Sequence, residues 1–147
     1  LICSRKDIKT VTIPETVNYI VYDAFQYCRE LSSVSIPQSV ESIGSFAFNG
    51  CTKLKSVYFP KSYVAIGQWM FKDCDNLKEI YLQLSNPAKV SGILETGIKK
   101  GQCTFYVPKG SGRQYEEYMF NWRESPNQDD KEIPWGEFGK IVEYDYK

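Results

Sequence analysis

A 23-residue period governs the first half of the chain and limits what it can fold into. Pro14, Pro37 and Pro60 each follow an apolar residue and are spaced 23 apart. The same period is kept by Ile20, Ile43 and Ile66, by Phe25, Phe48 and Phe71, by Cys28, Cys51 and Cys74, and by Leu31, Leu54 and Leu77. One period obeyed at several unrelated positions marks an array of stacked supersecondary units. A single 23-residue unit buries too little apolar surface to offset the backbone entropy of ordering it. Neighbouring units share buried faces, so stability arises only in the stack.

Within each copy a short alternating run precedes the proline: Val11/Ile13, Val34/Ile36, Val57/Phe59 and then Ile80/Leu82. Alternation of β-branched residues predicts a strand with one buried face. Proline ends that strand because it has no ladder N–H. A second extended piece reaches Ile20, Ile43 or Ile66, and Gly44 and Gly67 then permit a bend. Ala47-Phe48-x-x-Cys51 is too short for a regular helix and predicts one tight helical turn. The expected fold is a right-handed repeat solenoid of leucine-rich-repeat type, with one parallel β-ribbon sheet, short helical turns and a C-terminal helical or irregular cap.

The expected organisation is a remnant of a preceding coil (1–7) and repeat coils over 8–108, followed by a cap (109–147). The coils divide as 8–30, 31–53, 54–76, an irregular 77–101 and a final strand 102–108. Ile2 falls 23 before Phe25, and the opening Leu1-Ile2-Cys3-Ser4 has neither an initiator Met nor a charged leader. The expectation is therefore a chain that starts inside a longer array. Gln83 replaces the proline in the fourth copy, whose apolar work falls to Val90, Ile93, Leu94 and Ile98. The fifth strand, ending Val107-Pro108, arrives two residues late. Beyond it, Ser111 and Gln114 have capping-box spacing ahead of a helix whose apolar face is Tyr115, Tyr118/Met119 and Trp122. Trp135, Phe138, Ile141 and Val142 are expected to pack the tail onto the last coil, where an open end needs a cover.

Several function classes drop out on composition. Lys plus Arg and Asp plus Glu are both 18, so the net charge is zero. Generic binding to nucleic acid or an anionic membrane loses its driving force. Histidine is absent, which removes His-based triads, His zinc sites and a histidine pH switch. No run approaches the roughly 20 apolar residues of a membrane span. No cofactor motif is present, and no Asn-x-Ser/Thr acceptor site gives a compartment clue.

The unit Val40-Glu-Ser-Ile43-Gly44-Ser-Phe-Ala47-Phe48-Asn-Gly-Cys51 resembles the BspA-like leucine-rich repeat of bacterial and protist surface proteins. Cys103-Thr-Phe-Tyr-Val107-Pro108-Lys-Gly110-Ser111 with Tyr115, and Trp135-Gly-Glu-Phe138-Gly-Lys-Ile141-Val-Glu143, are similar to the ends of such proteins in gut anaerobes. The stretch 119–134 is longer than their usual link. The resemblance implies a non-catalytic module of an exported protein, extracellular or on the cell surface, that adheres to a host matrix protein or a glycan. It implies no particular ligand, because the shared motif consists of core residues. The alternatives are a structural spacer presenting another domain, and a carbohydrate-related enzyme or inhibitor. The latter needs a pocket with paired carboxylates.

Candidate sites follow from the same pattern. Cys28, Cys51 and Cys74, with Phe25, Phe48 and Phe71, are expected to be a buried structural ladder, the three thiols reduced and too far apart to bridge. They lack metal-ligand spacing, and no metal site is expected. Cys3 and Cys103 lie outside the ladder, and five cysteines cannot all pair. Lys109-Gly-Ser-Gly-Arg113 has the ingredients of an anion site at a helix start, though a turn and cap also account for it. Glu116/Glu117, Asp73/Asp75 and Asp129/Asp130 are acidic pairs on expected solvated surface. With Val11, Val34, Val57, Ile80 and Phe105 inward, one outward row reads Thr12, Ser35, Tyr58, Tyr81, Tyr106 and the other Thr10, Ser33, Ser56, Glu79, Thr104. Three tyrosines on adjacent strands form the best candidate contact strip, with Glu79 beside it and Lys55 and Lys78 expected to flank it.

Overall fold

The computed structural model describes residues 7–60, 64–87, 96–99, 101–123 and 139–146. The alternating runs form the strands β1 (Thr10–Thr12), β3 (Ser33–Ser35), β5 (Ser56–Phe59), β7 (Glu79–Leu82) and β8 (Cys103–Pro108). They stack in parallel in that order, with Val11 opposite Val34, Val34 opposite Val57, Val57 opposite Ile80 and Ile80 opposite Phe105. The two-residue delay of the fifth strand is absorbed in the loop before it, so side chains stay in phase. Val34, Val57, Ile80 and Phe105 are buried, as are Ile36, Phe59, Leu82 and Val107.

The second extended pieces also pair, which the single expected ribbon does not include. β2 (Tyr19–Ile20), β4 (Ser42–Ile43) and β6 (Ala65–Ile66) make a separate three-stranded parallel sheet. Its Ile20, Ile43 and Ile66 close the core from the other side, and Phe25, Phe48 and Phe71 fill it. The phenyl rings stack along the solenoid axis, Phe25 on Phe48 at 5.0 Å between centroids and Phe48 on Phe71 at 6.0 Å.

The expected helical turn is replaced by consecutive tight turns. Asp23, Phe46 and Trp69 have φ of 58–59°, and four residues on Tyr27, Gly50 and Asp73 repeat the left-handed conformation at 58–72°. Two left-handed residues per coil prevent a helical ladder. Alternate N–H groups instead point at the next coil: Phe46, Phe48 and Gly50 donate to the carbonyls of Gln68, Met70 and Lys72. In the fourth copy Thr96 keeps this role, its carbonyl accepting from Phe71 N–H at 2.7 Å. Val90, Ile93 and Leu94 lie outside the described residues.

Gly67 shows why a bend needs glycine at this place in a stacked coil. A Cβ there would stand 2.3 Å from Ser45 N and 2.6 Å from Gly44 C, atoms of the preceding coil's backbone. Gly44 makes the same approach to Tyr22 N.

The cap differs from the expectation in one respect that matters for function. After helix α1 (Gly112–Arg123), the chain returns as β9 (Gly139–Tyr144), a sixth parallel strand paired with β8, Phe105 opposite Ile141 and Tyr106 opposite Val142. The tail therefore extends the sheet instead of only covering it. Tyr115 is buried, and its hydroxyl donates to Leu84 O at 2.6 Å, while Tyr118 packs against the core. The side chains of Met119 and Trp122, and residues Trp135 and Phe138, lie outside the described set.

The cysteine ladder is corrected at one member. Cys28 is disulfide-bonded, whereas Cys51, Cys74 and Cys103 are free, so the bridge does not run along the ladder. Nor can Cys103 be paired with Cys3. The free thiols make bonds between coils: Cys51 Sγ donates to Phe25 O and Cys74 Sγ to Phe48 O, both at 3.1 Å, and Cys103 Sγ to Leu77 O at 3.3 Å. The adjacent Cys51 thiol and burial push the Cys74 thiol well up, and burial pushes Cys103 up to about 12. Since thiolate is the reactive form, Cys74 and Cys103 should resist a thiol reagent until the protein unfolds, and Cys51 should resist it because it is buried. Non-reducing mass spectrometry should find a bridge at Cys28 and none between Cys51 and Cys74. Rapid native labelling of any of these three buried thiols would contradict this packing.

Candidate functional site

Outward side chains of adjacent strands stand one strand spacing apart, about 4.8 Å, which suits face-to-face rings. Tyr58 and Tyr81 stack at 4.4 Å between centroids with planes 8° apart, and Tyr81 and Tyr106 at 4.5 Å and 9°. All three stay partly exposed over a buried sheet. The residue facing Tyr58 on the preceding strand is Ser35, exposed and too short to cover a ring. The stack therefore ends with a face of Tyr58 toward Ser35 and Thr12. On the parallel row Ser56, opposite Glu79, departs from the outward expectation and is buried.

The tail lies along the side of the stack, over the seam between Tyr81 and Tyr106. Tyr144 meets Tyr81 edge-on at 6.0 Å and 76°, and Tyr106 at 6.2 Å and 80°. Tyr146 lies 5.1 Å from Tyr144, nearly perpendicular to it. Its hydroxyl donates to Tyr106 O at 2.9 Å and Leu82 O at 3.1 Å, which fastens the tail to β7 and β8. Together Tyr58, Tyr81, Gln83, Tyr144, Asp145 and Tyr146 line an open depression of about 600 Å³. Burial, then the charge of Glu79, raises the Tyr81 phenol above its ordinary value. Burial raises Tyr146 to about 12, so these phenols stay neutral donors at physiological pH.

The structure thus brings Tyr58, Tyr81 and Tyr106 together and sets Glu79 within electrostatic reach of Tyr81. Lys55 and Lys78 do not join them at the depression. Each precedes the first residue of its strand, whereas Gln83 follows the last, so both lysines stand exposed at the opposite strand ends. Tyr144, Asp145, Tyr146 and Gln83 are the site residues that sequence reasoning misses. The available signal is the β-prone run Ile141-Val142-Glu143-Tyr144, whose pairing partner is not visible from the 23-residue period.

The anion-site reading of Lys109–Arg113 has an internal answer. Gly112 N–H donates to Glu143 Oε1 at 2.9 Å, so the helix start holds a carboxylate of the chain itself. Ser111 turns its hydroxyl back to Pro108 O at 2.5 Å, so the expected cap residue has another partner. Both cations are engaged as well, Lys109 with Asp145 at 3.6 Å and Arg113 with Glu117 at 2.8 Å. Bonds from Gly110 and Gly112 hold the Glu143 carboxyl below its ordinary 4.5. Its stabilising contribution is full above that ordinary value and is lost as pH falls through the lowered folded value. The Gly112 amide resonance should titrate in that acidic range, and Glu143→Gln should abolish the titration.

Of the other acidic pairs, Asp75 is bonded to Lys99 at 2.5 Å on the surface, and Asp129/Asp130 lie outside the described residues. Among the described residues no group of Cys, Asp or Glu is arranged to hold a metal ion. No described helix is long and apolar enough to cross a membrane.

A family model for the BspA type leucine rich repeat region matches residues 2–97 in six copies. The chain belongs to the BspA-type leucine-rich repeat family. Its parallel solenoid of about four turns, with little helix, is this repeat made visible. The family is one of surface proteins, its repeats are typically non-catalytic, and no enzyme family matches. No curated protein and no solved structure matches the chain significantly. The match stops before β8, α1 and β9, so half of the tyrosine depression lies beyond the repeat proper.

Proposed function

We propose that this chain is a binding module of an extracellular or cell-surface protein, with the sheet face around Tyr58, Tyr81 and Tyr106 as its contact surface. The stacked tyrosine row carries this reading. The rings are held by their neighbours on a rigid sheet, so little side-chain entropy remains to be lost on binding. Tyrosine combines apolar area with a hydrogen-bonding end, the combination enriched in interfaces. The fitting partners are an extended protein segment or a glycan chain of the host matrix. Family membership agrees with this, since leucine-rich repeats commonly bind proteins.

The test compares the wild type with a Tyr58→Ser/Tyr81→Ser/Tyr106→Ser variant of unchanged circular dichroism, against panels of matrix proteins and glycans. Interface tyrosines are frequent hot spots, so affinity should fall by well over tenfold, about 2 kcal/mol or more. Unchanged affinity in the triple variant would remove this face as the site. Absence of any wild-type binding would favour the spacer role instead.

A further inference from the structure

We propose that the depression beside the tyrosine stack is a cation site, which takes the ammonium or guanidinium group of a basic peptide segment. The proposal rests on the reading of the sheet face as a contact surface and names what that surface selects. Of the six described lining residues four are tyrosines; the others are Asp145 and Gln83, and none of the six is cationic. The rings stand in crossed planes: Tyr144 is tilted 76° from Tyr81 and 79° from Tyr146. Tyr81 already has a ring stacked on each face, so the walls offered to a ligand come from Tyr144 and Tyr146. Crossed aromatic walls with electron-rich faces suit a compact cation better than a neutral group of the same size.

Charge points the same way. Asp145 is 69% exposed and pairs with the similarly exposed Lys109 at the long distance of 3.6 Å. Such a pair is weak and exchangeable. The chain's own ammonium group thus already sits at the rim where an incoming one would bind. Among the described residues, the lysines Lys55, Lys78 and Lys140 (the last opposite Thr104) stand toward the other ends of the strands. A basic side chain approaching the depression meets the Asp145 carboxylate, π faces and one displaceable lysine.

The test titrates the 147-residue chain with Nα-acetyl-lysine amide and with its neutral counterpart, Nα-acetyl-norleucine amide, following the tyrosine ring resonances. The lysine probe should shift the Tyr144 and Tyr146 signals saturably, and the norleucine probe should not. Tyr144→Leu should weaken the lysine probe about tenfold. Asp145→Asn should weaken it about two- to fivefold, and Lys109→Gln should tighten it by a similar factor. Equal response to the two probes, or indifference to Asp145→Asn, would overturn the cation site. A silent titration alongside partner binding that still needs Tyr58, Tyr81 and Tyr106 would also overturn it, while leaving the contact face standing. Cation binding with partner binding indifferent to those three tyrosines would uphold the cation site and reject the contact face.

Discussion

Phe48→Ala should cost about 3–5 kcal/mol of folding stability, the full penalty of emptying an aromatic core site. Phe48 has no exposed surface and is stacked between Phe25 and Phe71, at 5.0 and 6.0 Å. Both neighbours are held in place by the inter-coil bonds of their own N–H groups to Ala47 and Thr96. The surroundings therefore collapse little into the gap, and the cavity term adds to the lost transfer energy. Tyr58→Ser, on the exposed face, should cost far less. Urea melts of the two variants decide the matter: equal losses would mean the inward and outward faces are misassigned.

Gly67→Ala adds one methyl group and should still cost about 3 kcal/mol, at or above the upper end for overpacking. The atoms in its way are the backbone of Ser45 and Gly44, which cannot rotate aside as a side chain would. Relief requires separating two coils, and Gly67 N–H donates to Ile43 O at 2.8 Å across that same joint. The prediction includes a spatial signature. Hydrogen exchange should quicken for Gly67 and its neighbours in β6 more than for β8. A Gly67→Ala protein as stable as the wild type would show that the coils can part there freely.

The repetitive half of this molecule was legible because each core position is stated three times. Ile20, Ile43 and Ile66 identify one another as buried even where one copy alone is ambiguous. The turns were less legible. Left-handed conformation is advertised by glycine, yet Asp23, Tyr27, Phe46, Trp69 and Asp73 adopt it with full side chains. Of the six turn positions from Asp23 to Asp73 that adopt it among the described residues, Gly50 alone is a glycine. Those residues bear the strain because their coils donate N–H groups to one another, a long-range cause that no local pattern reports. The strand pairing of the tail was hidden for a related reason. Ile141 pairs with Phe105 after an intervening helix, and nothing in the 23-residue rule points to that partner. The site was therefore legible in its Tyr58, Tyr81 and Tyr106 half, and hidden in its Tyr144, Asp145 and Tyr146 half.

The hydroxyl of Tyr146 rests on Leu82, 64 residues earlier in the chain. The depression it helps to enclose exists only while the tail lies docked. Occupancy and docking are thus one linked equilibrium, and whatever fills the depression also acts as a clasp on the last strand. An occupant at a hundred times its dissociation constant would hold that strand down by about 2.7 kcal/mol. Slower amide exchange from Gly139 through Val142, with the repeat coils unchanged, would then report binding from the part of β9 that precedes the Tyr144 wall.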